Sequence, residues 1–190
     1  VNTAPRIARL LFGCFGLLAV AACSPSTPPP ASGHHALPVT VPFPMDKAGQ
    51  TARIEFSVVE GQANLKRRFM VGLDFPQTQD GSIENVIQQK DVPVQVQVFS
   101  VDQGKMVPIP TEDEQTILAV SNGATPKADS DIANLHLHAY QGGASTCLVA
   151  GFYLSHYGHY VAVVKTVKDL PMFKNIQTEL KVDEFYNTGE

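Results

Sequence analysis

"VPVQVQVFSVDQGK", residues 92–105, decides the fold. Val92, Val94, Val96 and Val98 alternate with Gln95 and Gln97, which is the period of a strand with one buried face. Asp102, Gln103, Gly104 and Lys105 then supply turn chemistry. The same period recurs on both sides. Ala52, Ile54, Phe56 and Val58 alternate with Arg53, Glu55 and Ser57, and Phe69, Val71, Leu73 and Phe75 form another row. Leu135, Leu137 and Ala139 oppose Asn134, His136, His138 and Tyr140. Segments 148–154 and 159–167 are apolar almost throughout, which predicts central strands. Residues 117–121 read as a weaker strand, and 176–182 close the set. One stretch departs from period two: Ile83, Val86 and Ile87 are spaced i, i+3, i+4 behind Ser82, predicting a short helix over 83–90 with Ser82 as N-cap. About eight short strands separated by Gly, Pro and Asp predict an all-β fold: a single antiparallel β-sandwich with one short helix in a connection.

The N-terminal region has a different composition. Arg6 and Arg9 precede an uncharged run, residues 10–22. A bilayer-spanning helix needs about 20 apolar residues; this run instead suits the ~7–15-residue apolar core of a secretion signal. It ends in Val20-Ala21-Ala22-Cys23, which resembles a bacterial lipobox. That resemblance implies cleavage before Cys23, acylation of its thiol, and, since Ser24 rather than Asp follows, residence in the outer membrane facing the periplasm. Each buried acyl CH₂ contributes ~0.8 kcal/mol and stable anchoring takes more than one chain, so a soluble domain can be held permanently at a membrane. Pro25, Pro28, Pro29, Pro30 and Pro38 favour an extended tether over residues 23–40. The expected organisation is a signal peptide at 1–22, a lipidated Cys and Pro-rich tether at 23–40, and the sandwich at 41–190.

Of three cysteines, Cys14 falls in the signal and Cys23 takes the lipid, leaving Cys147 without a disulfide partner. Stability therefore rests on a core, and a domain of this length buries about 68–70% of its unfolded surface. Losing Arg6 and Arg9 makes the formal charge of −4 more negative by two. Such a surface argues against nucleic-acid binding and suits a basic partner.

Two segments carry a family resemblance. Pro44-Met45-Asp46-Lys47-Ala48-Gly49-Gln50 runs into the first long strand, and residues 158–173, "GHYVAVVKTVKDLPMF", run towards the last. Together they resemble a family of proteobacterial envelope proteins known only as a domain of unknown function, many of them lipoproteins. The resemblance implies a β-sandwich and, for members encoded beside secreted antibacterial toxins, an immunity role. It assigns no functional residue. The residues also have a physical reading. Gly158 supplies backbone freedom at a turn, Tyr160 can bury its ring while its hydroxyl reaches a loop carbonyl, and Pro171 ends the strand near Lys168.

Candidate chemistry is sparse. His136 and His138 are two apart on a strand, and His156 and His159 flank Tyr157-Gly158. These four imidazoles are candidate zinc or copper ligands, and binding requires nitrogens converging within ~2.0–2.1 Å of one ion; a polar outer face shared with Asn134 and Tyr140 is the simpler account of His136 and His138. His34 and His35 lie in the tether. Cys147, opening an apolar strand, reads as a buried hydrophobe rather than a nucleophile. There is no G-x-S-x-G serine motif, and Gly142-Gly143 lacks a phosphate-loop lysine. Glu112-Asp113-Glu114 suits a solvated loop, a calcium site or a basic partner, and Lys66-Arg67-Arg68 can pair with it. The expectation is a non-enzymatic lipoprotein without cofactor that binds another protein, with segments 77–81 and 124–131 as contact loops. The alternatives are a metal-binding periplasmic protein using the four histidines and a structural or assembly lipoprotein of the envelope.

Overall fold

The computed structural model describes residues 35–123 and 131–185. The signal, Cys23, His34 and most of the 124–131 loop lie outside them. Twelve strands and two α-helices follow in the order β1 (His35–Ala36), β2 (Val39–Pro42), β3 (Thr51–Val58), β4 (Phe69–Pro76), α1 (Ser82–Gln89), β5 (Pro93–Asp102), β6 (Lys105–Ile109), β7 (Thr111–Glu112), α2 (Glu114–Ser121), β8 (Ile132–Asn134), β9 (His136–Gln141), β10 (Ala144–Phe152), β11 (Gly158–Thr166) and β12 (Glu179–Glu184). A 3₁₀ turn, Pro171–Phe173, separates the last two strands.

The strands form two facing sheets. One has the order β1-β3-β11-β5-β6, with β8 paired to the start of β5; the other has β2-β12-β4-β10-β7, with β9 paired to the first half of β10. The all-β sandwich expected from period two is the fold found. Its long strands match the expected rows, and β11 lies at the centre of its sheet, as its apolar sequence implies. The count exceeds eight because both flanks are finished by strands of two to six residues that pass from one sheet to the other: β1 to β2, β6 to β7 and β8 to β9. β1 pairs with β3 in parallel; every other pairing is antiparallel. The expected turn after Asp102 joins β5 to β6 through Gln103 and Gly104 at φ 48° and 77°. Two successive positive φ values match the right-handed twist of the hairpin.

Rings fill one end of the space between the sheets. Phe56 of β3 stacks on Tyr160 of β11 at 5.4 Å and lies 6.3 Å from Phe152 of β10, which stacks on Phe69 of β4 at 6.0 Å. Such pairs contribute about 0.5–1.5 kcal/mol each beyond burial. Further along the core, Phe75 meets Phe173 edge-on at 5.7 Å.

Two local expectations need correction. Residues 117–121, read as a weak strand, belong to α2. Asp113 accepts a hydrogen bond from the Thr116 amide at 2.8 Å, so the acidic run is not an open loop: Glu112 ends β7, and Asp113 and Glu114 start α2. Ile117 of α2 packs on Met70, Leu148 and Phe185 to make a second apolar cluster outside the main core. This cover explains why β10 is apolar on both faces. At α1 the N-cap is Gly81, in left-handed conformation, and not Ser82, whose amide instead bonds to Asp80 Oδ1 at 3.0 Å.

Candidate functional site

The four candidate histidines are placed separately. β9 and β11 belong to different sheets. The register of β9 against β10 slips between Thr146 and Cys147, leaving His138 as the extra residue, so a bulge interrupts the alternation that linked it to His136. His136 Nε2 lies 3.8 Å from Glu114 Oε1, and the His138 ring sits 5.0 Å from Phe185. His159 Nδ1 is 2.9 Å from Ser57 Oγ. His156 donates from Nδ1 to the Tyr157 carbonyl at 3.0 Å and stacks on Tyr160, whose hydroxyl donates to the His156 carbonyl. That last bond is the one the Gly158–Tyr160 sequence suggested. Among the described residues no three His, Cys, Asp or Glu side chains gather closely enough to hold a metal ion. The acidic run also diverges: Asp113 caps α2, Glu112 pairs with Arg68, and Glu114 turns towards His136.

Cys147 is fully buried, and burial, followed by the charges of Asp74 and Glu84, pushes its thiol far above the ordinary range. The thiolate required of a nucleophile is therefore disfavoured there.

One end of the sandwich exposes aromatic and basic groups. Arg68, just before β4, forms an ion pair with Glu112 at 3.1 Å and lies over the Tyr153 ring at 5.1 Å and the Phe185 ring at 5.6 Å. It runs across Gly151 of β10, where a Cβ would lie 2.6 Å from Arg68 Cδ and 3.0 Å from Ile117 Cδ1. The glycine leaves the room that the arginine stem and α2 occupy. Tyr153 and Tyr157 are 50% and 40% exposed on the loop between β10 and β11; Tyr140, 55% exposed on β9, lies opposite Ser145 at the other end of β10. Arg67 pairs with Glu184 at 3.4 Å.

The loop 77–81 is held by a residue of α1 that no sequence motif marks. Glu84 of α1 is only 4% exposed. Its carboxylate accepts from the Thr78 amide at 3.0 Å, from the Thr78 hydroxyl, and from Ser145 Oγ of β10 at 2.7 Å. Burial alone would raise this carboxyl, but the Thr78 and Ser145 bonds outweigh it and hold Glu84 below the ordinary glutamate range.

A polar pocket of about 270 Å³ opens between the C-terminal end of α1, the N-terminal end of α2 and the β8–β9 crossing. Asp91, Glu114, Asn134 and His136 line it. Asn134 Nδ2 donates to Asp91 Oδ1 at 3.3 Å, which fixes the amide orientation, since the reverse would set oxygen against carboxylate. Glu114 Oε2 and Asn134 Oδ1 are then buried acceptors with no hydrogen-bond partner.

Taken together, the fold and these surfaces define a two-sheet β-sandwich domain with an aromatic end and a polar flank. The chain belongs to the family described as Domain of unknown function (DUF5625), whose model matches residues 40–184. A crystal structure of a protein from Sulfurospirillum deleyianum is similar in fold, with a TM-score of 0.52 at 11% sequence identity, over 78% of this chain and 97% of that one. No curated protein matches the sequence. Among the described residues, no helix is long and apolar enough to cross a membrane.

Proposed function

We propose that this protein is a non-enzymatic lipoprotein of the bacterial envelope, anchored through Cys23 in the outer membrane and binding another protein in the periplasm. The exposed tyrosines carry the binding half of this reading. Tyr153 and Tyr157 present large rings to solvent at one end of the sandwich, where Arg68 stacks on Tyr153, and Tyr140 does so at the other end. Tyrosine and arginine dominate the energetics of protein interfaces because they offer large contact area at low entropic cost. The loop 77–81, fixed by Glu84, adds a contact surface ordered before binding, which lowers the cost of association. The lipobox-like sequence ending at Cys23 and the proline-rich segment behind it support the anchor.

The specific version is an immunity protein that neutralises a secreted antibacterial toxin in the periplasm. A tether raises its effective concentration where such a toxin acts. Two experiments test the reading. Mass spectrometry of the mature chain should find an acylated N-terminal cysteine, and Cys23→Ser should release the protein from membranes. Pull-down should recover a secreted protein encoded beside this one, with recovery lost in the Tyr153→Ser/Tyr157→Ser double variant. Cells lacking the gene that tolerate that neighbour in their periplasm as well as wild type would remove the immunity role. A permeability defect on deletion, without partner capture, would favour the structural alternative.

A further inference from the structure

We propose that the outer face of the β3-β11-β5-β6 sheet binds the same face of a second copy of this chain, about a two-fold axis parallel to the strands. This goes beyond the protein-binding reading and uses a surface other than the tyrosine-bearing loop.

The face is apolar at its centre, and neither helix covers it. Helix α1 packs on β9, and α2 on β7 and β10, all strands of the other sheet. An antiparallel sheet that faces water ordinarily turns polar residues outward. Here the outward positions, alternating with the buried rows, hold Val161 and Val163 of β11 and Phe99 and Val101 of β5. Val161 is closed over by its neighbours, whereas Val163, Phe99 and Val101 stay partly exposed and Met106 of β6 is 44% exposed.

The rim names the occupant. Arg53 of β3 stands on one side of the face. Asp131, which accepts from Gln97 Nε2 at 2.7 Å, stands on the other. Arg53 holds Glu55 through Nε and Nη2, each 2.9 Å from Oε1, and this leaves Nη1 for another acceptor. Arg53, Val163 and Gln97 form one row across the sheet, and Glu55, Val161 and Phe99 the next. A two-fold axis along the strands, between β11 and β5, turns each row end for end. Arg53 of each copy then lies over Asp131 of the other, Val161 over Phe99, and Lys165 over Gln95. The gap between β6 and β8 adds a cleft of about 190 Å³, lined by Gln97, Phe99, Pro108 and Asp131, with room for the arginine head. An axis across the strands would instead set Lys165 over His159 and Asp131 over Pro108. Sheets pack face to face in the chosen way, aligned within about 30° and ~10 Å apart. Four strands ~4.8 Å apart over the length of Thr51–Ser57 give an outline of about 450 Å². That is small beside the ~800 Å² each partner buries in a standard interface, so the dimer should be weak, with micromolar affinity.

The test is sedimentation equilibrium of the full chain in density-matched detergent, from micromolar to millimolar protein, with circular dichroism to show that each variant is folded. The wild type should fit a monomer–dimer equilibrium. Val163→Lys sets an unpaired cation in the centre of the face and should leave only monomer. Arg53→Asp and Asp131→Arg should each weaken the dimer about tenfold, since the two-fold axis counts each reversed pair twice. Both reversals in one chain restore the pairs and should return the affinity to within about threefold of wild type. Tyr153→Ser/Tyr157→Ser should leave the dimer unchanged. A single monomeric mass at every concentration, a dimer that survives Val163→Lys, or a double reversal no tighter than its parents would overturn the proposal. If the wild type sediments as monomer and Val163→Lys releases it from lipid vesicles or from a captured protein, the face belongs to that occupant and the second copy is excluded. Failure to capture any partner while the dimer persists would remove the protein-binding reading and leave this one standing.

Discussion

Replacing Glu84 by glutamine should cost far more than an isosteric change on a helix surface. The carboxylate receives the Thr78 amide, the Thr78 hydroxyl and the Ser145 hydroxyl at a site that is 4% exposed. Hydrogen bonds to a charged group contribute about 1.5–3 kcal/mol each, against roughly 0.5–1.5 for neutral pairs. Glutamine makes the surviving bonds neutral and turns an NH₂ group towards one of the donors. The expected loss is on the order of 3 kcal/mol. At ~2–4 °C per kcal/mol for a domain of this size, the melting temperature should fall by roughly 6–12 °C. The loss should also depend on pH. Burial alone would raise the Glu84 carboxyl, yet its hydrogen bonds hold it below its unfolded value. Its stabilisation is therefore complete above that unfolded value, about 4.3, and is lost as pH falls through the lower folded one. Urea unfolding of wild type and Glu84→Gln from pH 7 to pH 3 measures both effects. A gap below about 1 kcal/mol at pH 7, or one that stays constant or widens on acidification, would refute the reasoning.

Three further outcomes are expected. Asp113→Ala removes the cap of α2 and should cost about 0.5–2 kcal/mol in denaturant unfolding, with extra dye binding as Met70 and Leu148 lose their cover. Gly151→Val should cost roughly 1–3 kcal/mol through overpacking and displace Arg68 from Tyr153, visible as a change in tyrosine fluorescence. Asp183 is held above the ordinary aspartate range, chiefly by burial. A raised acid destabilises the fold at neutral pH and is relieved as pH falls through its folded value, so Asp183→Asn should raise the urea midpoint at pH 7 and lose that advantage below the unfolded value of about 3.9.

The long strands were legible because each has one face in the core, which writes a period of two into the side chains. Val94, Val96 and Val98 show this directly, and every one is buried. Helix α2 was hidden for the complementary reason. It buries only Ile117, so its apolar residues carry no helical period, and the sole signal was Asp113 three residues before Thr116. The short flanking strands are too brief for any period to register. Of the candidate site, Arg68 pairing with the acidic run was readable from charge alone. The pocket was not, because Asp91 of the α1–β5 connection, Glu114 at the start of α2 and Asn134 at the end of β8 are brought together only by the tertiary fold. Glu84 was passed over since a glutamate in a helix ordinarily faces water; only its neighbours Thr78 and Ser145 reveal why it is buried. The separation of the four histidines depends on which sheet each strand joins, and spacing along a chain does not encode that.

The brevity of the flanking strands bears on life at high local density. A long, flat border of unpaired amides and carbonyls is a template on which another copy can zip, and fibrils grow from such templates. Here the outermost strands hold two to six residues, and Pro108 withholds an amide from one of them, β6. Copies of this chain brought close together would then have little backbone to share, and neighbours would meet through side chains alone.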